Sequence, residues 1–252
     1  MVRDDRSPRD PRLPAAALFD WDGTLADTLP LIYRANVVAL GELGIGMSRA
    51  WFRDRYTPDW RSSYRALGVP EASWEQLGRR WNEEMSRGRP RAMPWARRSL
   101  NRLHRSGVRL GLVTASTRAV VAPNVTRLGL DGLFETAWFS DDVADTKPHP
   151  EALVRALEEL GVDPADTVYV GDTTVDLEMT VAAGARFVAV GTTTPEAAFR
   201  AAGVERVWPG VAAWADDLLG VVHPGGELAG AERPGEERPG EGRPGGPGRR
   251  DR

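Results

Sequence analysis

The chain has no cysteine among its 252 residues, which removes any disulfide framework and any thiolate metal site. It holds one lysine, Lys147, against 32 arginines. Wherever a solvated positive charge is needed, arginine supplies it. A solitary lysine therefore marks a place where a compact ammonium serves and a planar guanidinium does not. No apolar run approaches the length of a membrane-spanning helix. Residues 1–12 carry charge and proline instead of the apolar stretch of a signal peptide. The formal net charge of -3 gives no general attraction to nucleic acid or to a membrane surface. Together these absences predict a soluble, cytoplasmic protein with no nucleic-acid or membrane partner, and they leave the oligomeric state open.

What is present is organised around residues 18–28, which read L-F-D-W-D-G-T-L-A-D-T. The apolar run at residues 15–19 predicts a strand buried on both faces, and it ends abruptly in Asp20, Trp21 and Asp22. Residues i and i+2 of a strand share a side, so Asp20 and Asp22 can converge on one ligand. Two such carboxylates are costly to desolvate without a partner, and a hard cation such as Mg²⁺ would offset their repulsion. The plainer reading is a loop of solvated acids after a strand. Gly23 lets the chain turn sharply after the pair.

Residues 30–95 have a different character. Helical spacing runs from Leu31 to Leu43 and breaks at Gly44. Ser48 is placed to cap a second helix carrying Trp51 and Phe52, and a third covers Trp60 to Leu67. Ser73 and Gln76 form a capping-box pattern that opens a fourth, with Trp74, Leu77, Trp81 and Met85 on one face. No strand alternation is visible here. The segment holds five of the nine tryptophans, read as residues that pack helices together. It has 11 arginines against 7 acids, whereas residues 15–29 with 96–223 have 12 basic and 20 acidic residues. A basic insert beside an acidic core would suit an anionic ligand between them; a solvated basic surface explains the count equally well.

From Pro94 onward strands and helices alternate, with strands expected near 108–113, 137–139, 167–170, 187–190 and 206–208. This pattern predicts an α/β fold, an open doubly wound parallel sheet with helices on both faces, in which ligands bind outside the carboxyl ends of the strands. Asp20, Thr114 and Asp172 all fall there. The expected organisation is a disordered arm at 1–13, a core of 14–29 and 96–222, a helical cap at 30–95, and a tail at 223–252. That tail repeats A-E-R-P-G, E-E-R-P-G, E-G-R-P-G and cannot bury enough surface to order itself.

Asp20, Asp22, Thr114, Lys147, Asp172 and Asp176 taken together combine carboxylates for a hard cation with a hydroxyl and an ammonium. Such a set suits phosphoryl transfer, which needs positioning and neutralisation of charge on the equatorial oxygens. At this point the motifs take on a family likeness. D-W-D-G-T-L-A-D-T resembles the first motif of the haloacid-dehalogenase-like superfamily, D-x-D-x-T. Thr114 after an apolar strand is similar to the second motif, Lys147 before Pro148 to the third, and G-D-T-T-V-D at 171–176 to the fourth. The insert, and the run D-D-V-A-D-T-K-P-H-P-E-A-L, resemble the phosphoglycolate phosphatase and β-phosphoglucomutase-like branch.

The resemblance implies a Rossmann-like core, an all-helical cap after the first strand, and a Mg²⁺-dependent phosphatase acting on a small phosphorylated metabolite. It implies Asp20 as nucleophile and Asp22 as general acid and base, with Thr114, Ser116 and Lys147 on the substrate. It implies Mg²⁺ on the Asp20 carboxylate, the Asp22 backbone carbonyl and Asp172, with Asp176 orienting the metal surroundings or Lys147, and Thr24 supporting the first loop. Two positions depart from the pattern. Trp21 replaces a smaller aliphatic residue and is expected to reshape the site entrance. Ala115 stands where asparagine is common, and Ser116 or a backbone group must then supply the missing contact. Asp22 argues against a dehalogenase, and the absence of lysine from the insert argues against a Schiff-base phosphonate hydrolase. A sugar phosphomutase and a non-catalytic phosphate-ligand sensor remain as alternatives.

Overall fold

A computed structural model describes residues 10–221. The tail expected at 223–252, and residues 1–9 of the arm, lie outside the described residues. Leu13, at the end of that arm, is buried in the core.

The first strand, β1 (Ala16–Phe19), is followed by a two-residue strand β2 (Ala26–Asp27). Four helices come next, α1 (Leu29–Gly41), α2 (Arg49–Arg55), α3 (Trp60–Ala66) and α4 (Trp74–Ser86), and then a second two-residue strand, β3 (Arg91–Ala92). The alternation predicted from Pro94 follows as α5 (Ala96–Arg105), β4 (Arg109–Val113), α6 (Arg118–Arg127), β5 (Thr136–Trp138) and α7 (Glu151–Leu160). It closes with β6 (Thr167–Gly171), α8 (Thr174–Ala182), β7 (Arg186–Val190), α9 (Glu196–Ala201), β8 (Val207–Trp208) and α10 (Val211–Leu218).

Six strands form one parallel sheet in the order β5-β4-β1-β6-β7-β8. The order reverses at β1, so the crevice beyond its carboxyl end is the switch point where ligands of open α/β sheets bind. Alternate residues of β1 serve different cores, as a period of two requires. Ala17 and Phe19 pack with Leu100 and Leu103 of α5, Val121 of α6 and Trp214 of α10. Ala16 and Leu18 pack with Leu153, Ala156 and Leu160 of α7 and Met179 of α8. A third cluster joins Ala39 and Leu40 of α1, Tyr64 of α3 and Leu77 of α4.

Local chemistry accounts for several boundaries. Ser48 caps α2 by accepting from the Trp51 amide at 3.0 Å. The Ser73 capping box does not form. A single 3₁₀ turn at Glu71–Ser73 runs straight into α4 and holds Ser73 at φ -93° and ψ -9°, so its side chain makes no cap bond. Gln76 donates instead to Glu42 at 3.3 Å. Strand structure that the sequence did not announce also closes the base of the insert: β2, just before it, pairs antiparallel with β3 near its end, Ala26 with Ala92 and Asp27 with Arg91. Two residues are too few to show alternation.

Candidate active site

Asp20 leaves the end of β1 with its amide still donating to the Val170 carbonyl at 2.9 Å. The chain then turns so tightly that the Leu25 and Ala26 amides both donate to the Trp21 carbonyl at 3.0 Å. Gly23 makes the turn possible. Its φ is +77°, and a Cβ there would stand 2.2 Å from Asp172 Oδ2 and 2.7 Å from Thr193 Oγ1. Gly23→Ala is therefore expected to displace Asp172 and cut phosphatase turnover about a hundredfold. A steady-state assay showing wild-type kcat would contradict that reading of the turn.

Asp172 follows β6 and accepts hydrogen bonds on both oxygens, from the Thr24 hydroxyl at 3.1 Å and from the Thr193 hydroxyl. Thr24 thus ties the first motif to the fourth. Gly171 gives the next close approach, since a Cβ on it would meet Asp176 Cβ at 2.7 Å. The first turn of α8 folds over this bare backbone. Its capping box aims Asp176: Oδ2 accepts from the Thr173 amide at 3.1 Å and the Thr173 hydroxyl at 2.6 Å, and Oδ1 is left for Lys147.

Lys147 Nζ reaches Asp20 at 2.6 Å, Asp176 at 2.8 Å and the Tyr169 hydroxyl at 2.6 Å, with a side chain only 2% exposed. An ammonium has three donors and finds three acceptors, which is the compact geometry the lone lysine suggested. Tyr169 passes the chain of bonds on by donating to the Val113 carbonyl at 2.7 Å. On the other side, Ser116 Oγ donates to Asp22 Oδ2 at 2.7 Å, and the Ser116 amide donates to Thr114 Oγ1 at 3.1 Å. Ser116 thereby contacts the acid next to which Ala115 supplies nothing. Asp22 Oδ1 is buried with no hydrogen-bond partner among the described residues.

Trp21 does not shape the entrance. It is 1% exposed and belongs to the main core cluster, because the turn after Asp20 points its indole inward. Tyr169, Thr193 and the half-buried Tyr56 were not anticipated. The signals were slight: a polar ring inside an aliphatic strand, and a run of three threonines after β7.

Burial sets the electrostatics. It pushes the Asp20 carboxyl well above the ordinary range; Lys147 opposes the shift, while Asp176, Asp172 and Asp22 add to it. Burial, followed by the Asp176 charge, raises Asp172 to about 7 against the Thr193 and Thr24 hydroxyls. Asp22 is raised by burial against the Ser116 hydroxyl. Burial disfavours the Lys147 ammonium, yet Asp176 and Asp20 outweigh it and hold the lysine protonated.

Asp20, Asp172 and Asp176 each present an oxygen, all within 4.8 Å of one another. Three buried carboxylates against one ammonium carry surplus negative charge, and hard oxygen donors are what Mg²⁺ takes; the donor set fits that ion. The Asp22 carboxylate lies outside this cluster. Asp20 and Asp22 also line a cavity of ≈ 560 Å³ shared with the helices of residues 30–95.

Such a charge arrangement is wasted on an apolar group and suited to a phosphoryl group, so fold and site together define a Rossmann-like hydrolase of phosphate esters. The sequence pattern of the haloacid dehalogenase-like hydrolases matches residues 17–190, and the chain belongs to that family. It is 30% identical over 198 residues to the phosphoglycolate phosphatase of Salmonella typhimurium, covering 66% of this chain and 77% of that one. It is 32% identical over 176 residues to the pyrophosphatase PpaX of Bacillus pumilus, covering 69% and 81%. The crystal structure of CbbY from Rhodobacter sphaeroides in complex with phosphate superposes with a TM-score of 0.64 at 26% identity, covering 79% of this chain and 95% of that one. This chain is a phosphatase of the family. No helix among the described residues is long and apolar enough to cross a membrane.

Proposed function

We propose that the protein is a Mg²⁺-dependent phosphomonoester hydrolase that works through an aspartyl-phosphate on Asp20. The observation that carries this reading is the meeting of Asp20 and Asp22 in one cavity with Lys147 Nζ 2.6 Å from Asp20. An Asp20 oxygen attacks phosphorus, the bond from phosphorus to the ester oxygen breaks, and Asp22 gives its proton to the departing alcohol. Asp22 then takes a proton from water as that water attacks the acyl phosphate. The bond from phosphorus to Asp20 breaks, and inorganic phosphate leaves with the Asp20 carboxylate restored. Burial raises the Asp22 carboxyl against the Ser116 hydroxyl, the direction that favours a general acid. Lys147 and the Thr114 hydroxyl hold phosphoryl oxygens, Ser116 orients Asp22, and Asp176 positions Lys147. Asp20, Asp172 and the Asp22 backbone carbonyl would hold Mg²⁺, with Asp176 beside them. The ion would neutralise charge on the transferred group.

Phosphate release from 2-phosphoglycolate, sugar phosphates, nucleotides and a chromogenic aryl phosphate, with Mg²⁺ and with EDTA, tests the proposal. Release that stops in EDTA is expected, and undiminished release in EDTA would overturn the metal requirement. Interconversion of β-glucose 1-phosphate without phosphate release would replace the hydrolase by a mutase.

The raised carboxyls predict a coupled titration. Asp172 stands at about 7 in the fold, above its ordinary value of 3.8, so the folded state keeps a proton that the unfolded chain has lost. Stability of the metal-free protein accordingly falls as pH climbs from roughly 4 to 7 and levels off above. Mg²⁺ binding must displace this proton. Calorimetry in buffers of different ionisation heat is expected to show proton release on binding at pH 6 and much less at pH 8.

A further inference from the structure

We infer that the ester this site cleaves has a large planar aromatic leaving group, rather than a two-carbon acid or another small anion. The inference rests on the phosphatase reading above and names its substrate class. The ≈ 560 Å³ cavity falls among pockets that enclose molecules of drug size. Its floor comes from the catalytic loops, through Asp20, Asp22, Ser116 and Thr173. Its walls come from the insert and include Trp51, Phe52, Tyr56, Trp60, Trp74 and Trp81.

The rings stand at steep angles to one another. Trp60 meets Trp74 with centroids 5.4 Å apart at 77°, and Tyr64 at 5.3 Å and 69°. Edge-to-face walls of this kind offer both faces and edges to a further ring. Trp60 remains 41% exposed, an apolar surface that a guest would cover. The tryptophans read from sequence as packing residues therefore have a second use.

The basic charge of the insert does not reach the cavity in usable form. Of its 11 arginines, Arg79 alone lines the cavity, and it is paired with Glu75, which lines it too. Arg61 lies over the Trp60 ring at 4.8 Å and Arg65 over the Trp74 ring at 5.1 Å, so these guanidinium groups are engaged with the rings themselves. A carboxylate on the leaving group would meet aromatic walls and a neutralised arginine. The expectation of an anion held between a basic insert and an acidic core is thus not met by the lining.

The test compares ethyl phosphate, 2-phosphoglycolate and 2-(1-naphthyl)ethyl phosphate on the Mg²⁺-loaded protein; all three are alkyl esters, so chemical activation of an aryl leaving group does not enter. The naphthyl ester is expected to exceed the other two in kcat/KM by about a hundredfold or more. In Trp60→Ala and in Trp51→Ala, the ratio of kcat/KM for the naphthyl ester to that for ethyl phosphate is expected to fall about tenfold. A ratio cancels any loss of folded protein. A preference for 2-phosphoglycolate, or ratios unmoved in both variants, would overturn the inference while leaving the phosphatase reading standing. No release from any ester would instead overturn the phosphatase reading. The cavity assignment would then be decided by titrating the naphthyl ester into Asp20→Asn and following tryptophan emission. Saturable quenching supports the aromatic cavity, and its absence overturns it.

Discussion

Asp20→Asn is expected to lower kcat by roughly 10⁴-fold or more while leaving the fold intact. The amide nitrogen cannot attack phosphorus and hold it as a carboxylate does, so both halves of the reaction lose their acceptor. The fold survives because Asn keeps an oxygen to receive the Lys147 proton, and because Asp176 still pairs with that ammonium at 2.8 Å. The substitution also removes one acid from a buried group whose desolvation and mutual repulsion raise the Asp20 carboxyl. The unfolding midpoint should therefore move by less than about 4 °C. Turnover near the wild-type rate would dismiss Asp20 as nucleophile, whatever the state of the fold.

Lys147→Arg is expected to lower kcat/KM about a hundredfold and to reduce unfolding free energy by about 1–3 kcal/mol through overpacking. The charge is conserved and the geometry is not. One nitrogen now directs donors at Asp20, Asp176 and Tyr169, and a planar fork presents its donors from several atoms in one plane. The Lys147 side chain is only 2% exposed, so the larger head group is expected to press on its buried neighbours. Chemical denaturation and steady-state kinetics on the same preparation separate the two effects. Wild-type kinetics would mean that the solitary lysine carries no geometric message.

Why that lysine was legible, and other residues were not, follows from how each is specified. Asp20, Thr114 and Asp172 stand immediately after buried strands, and an apolar run that stops at a polar residue is visible in one dimension. The boundaries of α7 are equally local, since Gly161 at φ 60° ends the helix one residue after Leu160. Tyr169 and Thr193 act across the sheet, on Lys147 and on Asp172, and no spacing rule links positions 22 or 21 residues apart through space. Trp21 shows the opposite failure. Its neighbours are catalytic in character, yet the turn sends its ring into the core. The insert's tryptophans were placed on the right helices, but the cavity they enclose is made by α1 to α4 together with the strand-end loops. Helical periodicity says which face is apolar and not whether that face closes on a neighbour or on a guest.

The short ribbon of β2 and β3 carries a consequence beyond its four residues. Asp27 and Arg91 sit opposite each other, so the chain departs for the helices and returns from them at adjacent points. Seen from the sheet, the long excursion between them is a single appendage on a clasped neck. Its length and side chains can change without altering the register of β1 against β4 and β6. Asp20 is held by that register, while the aromatic walls belong to the appendage. On the proposed reading, in which Asp20 breaks the ester and the aromatic lining chooses it, the two are free to diverge at different rates, and new selectivity would arise by redrawing the helices above an unchanged sheet.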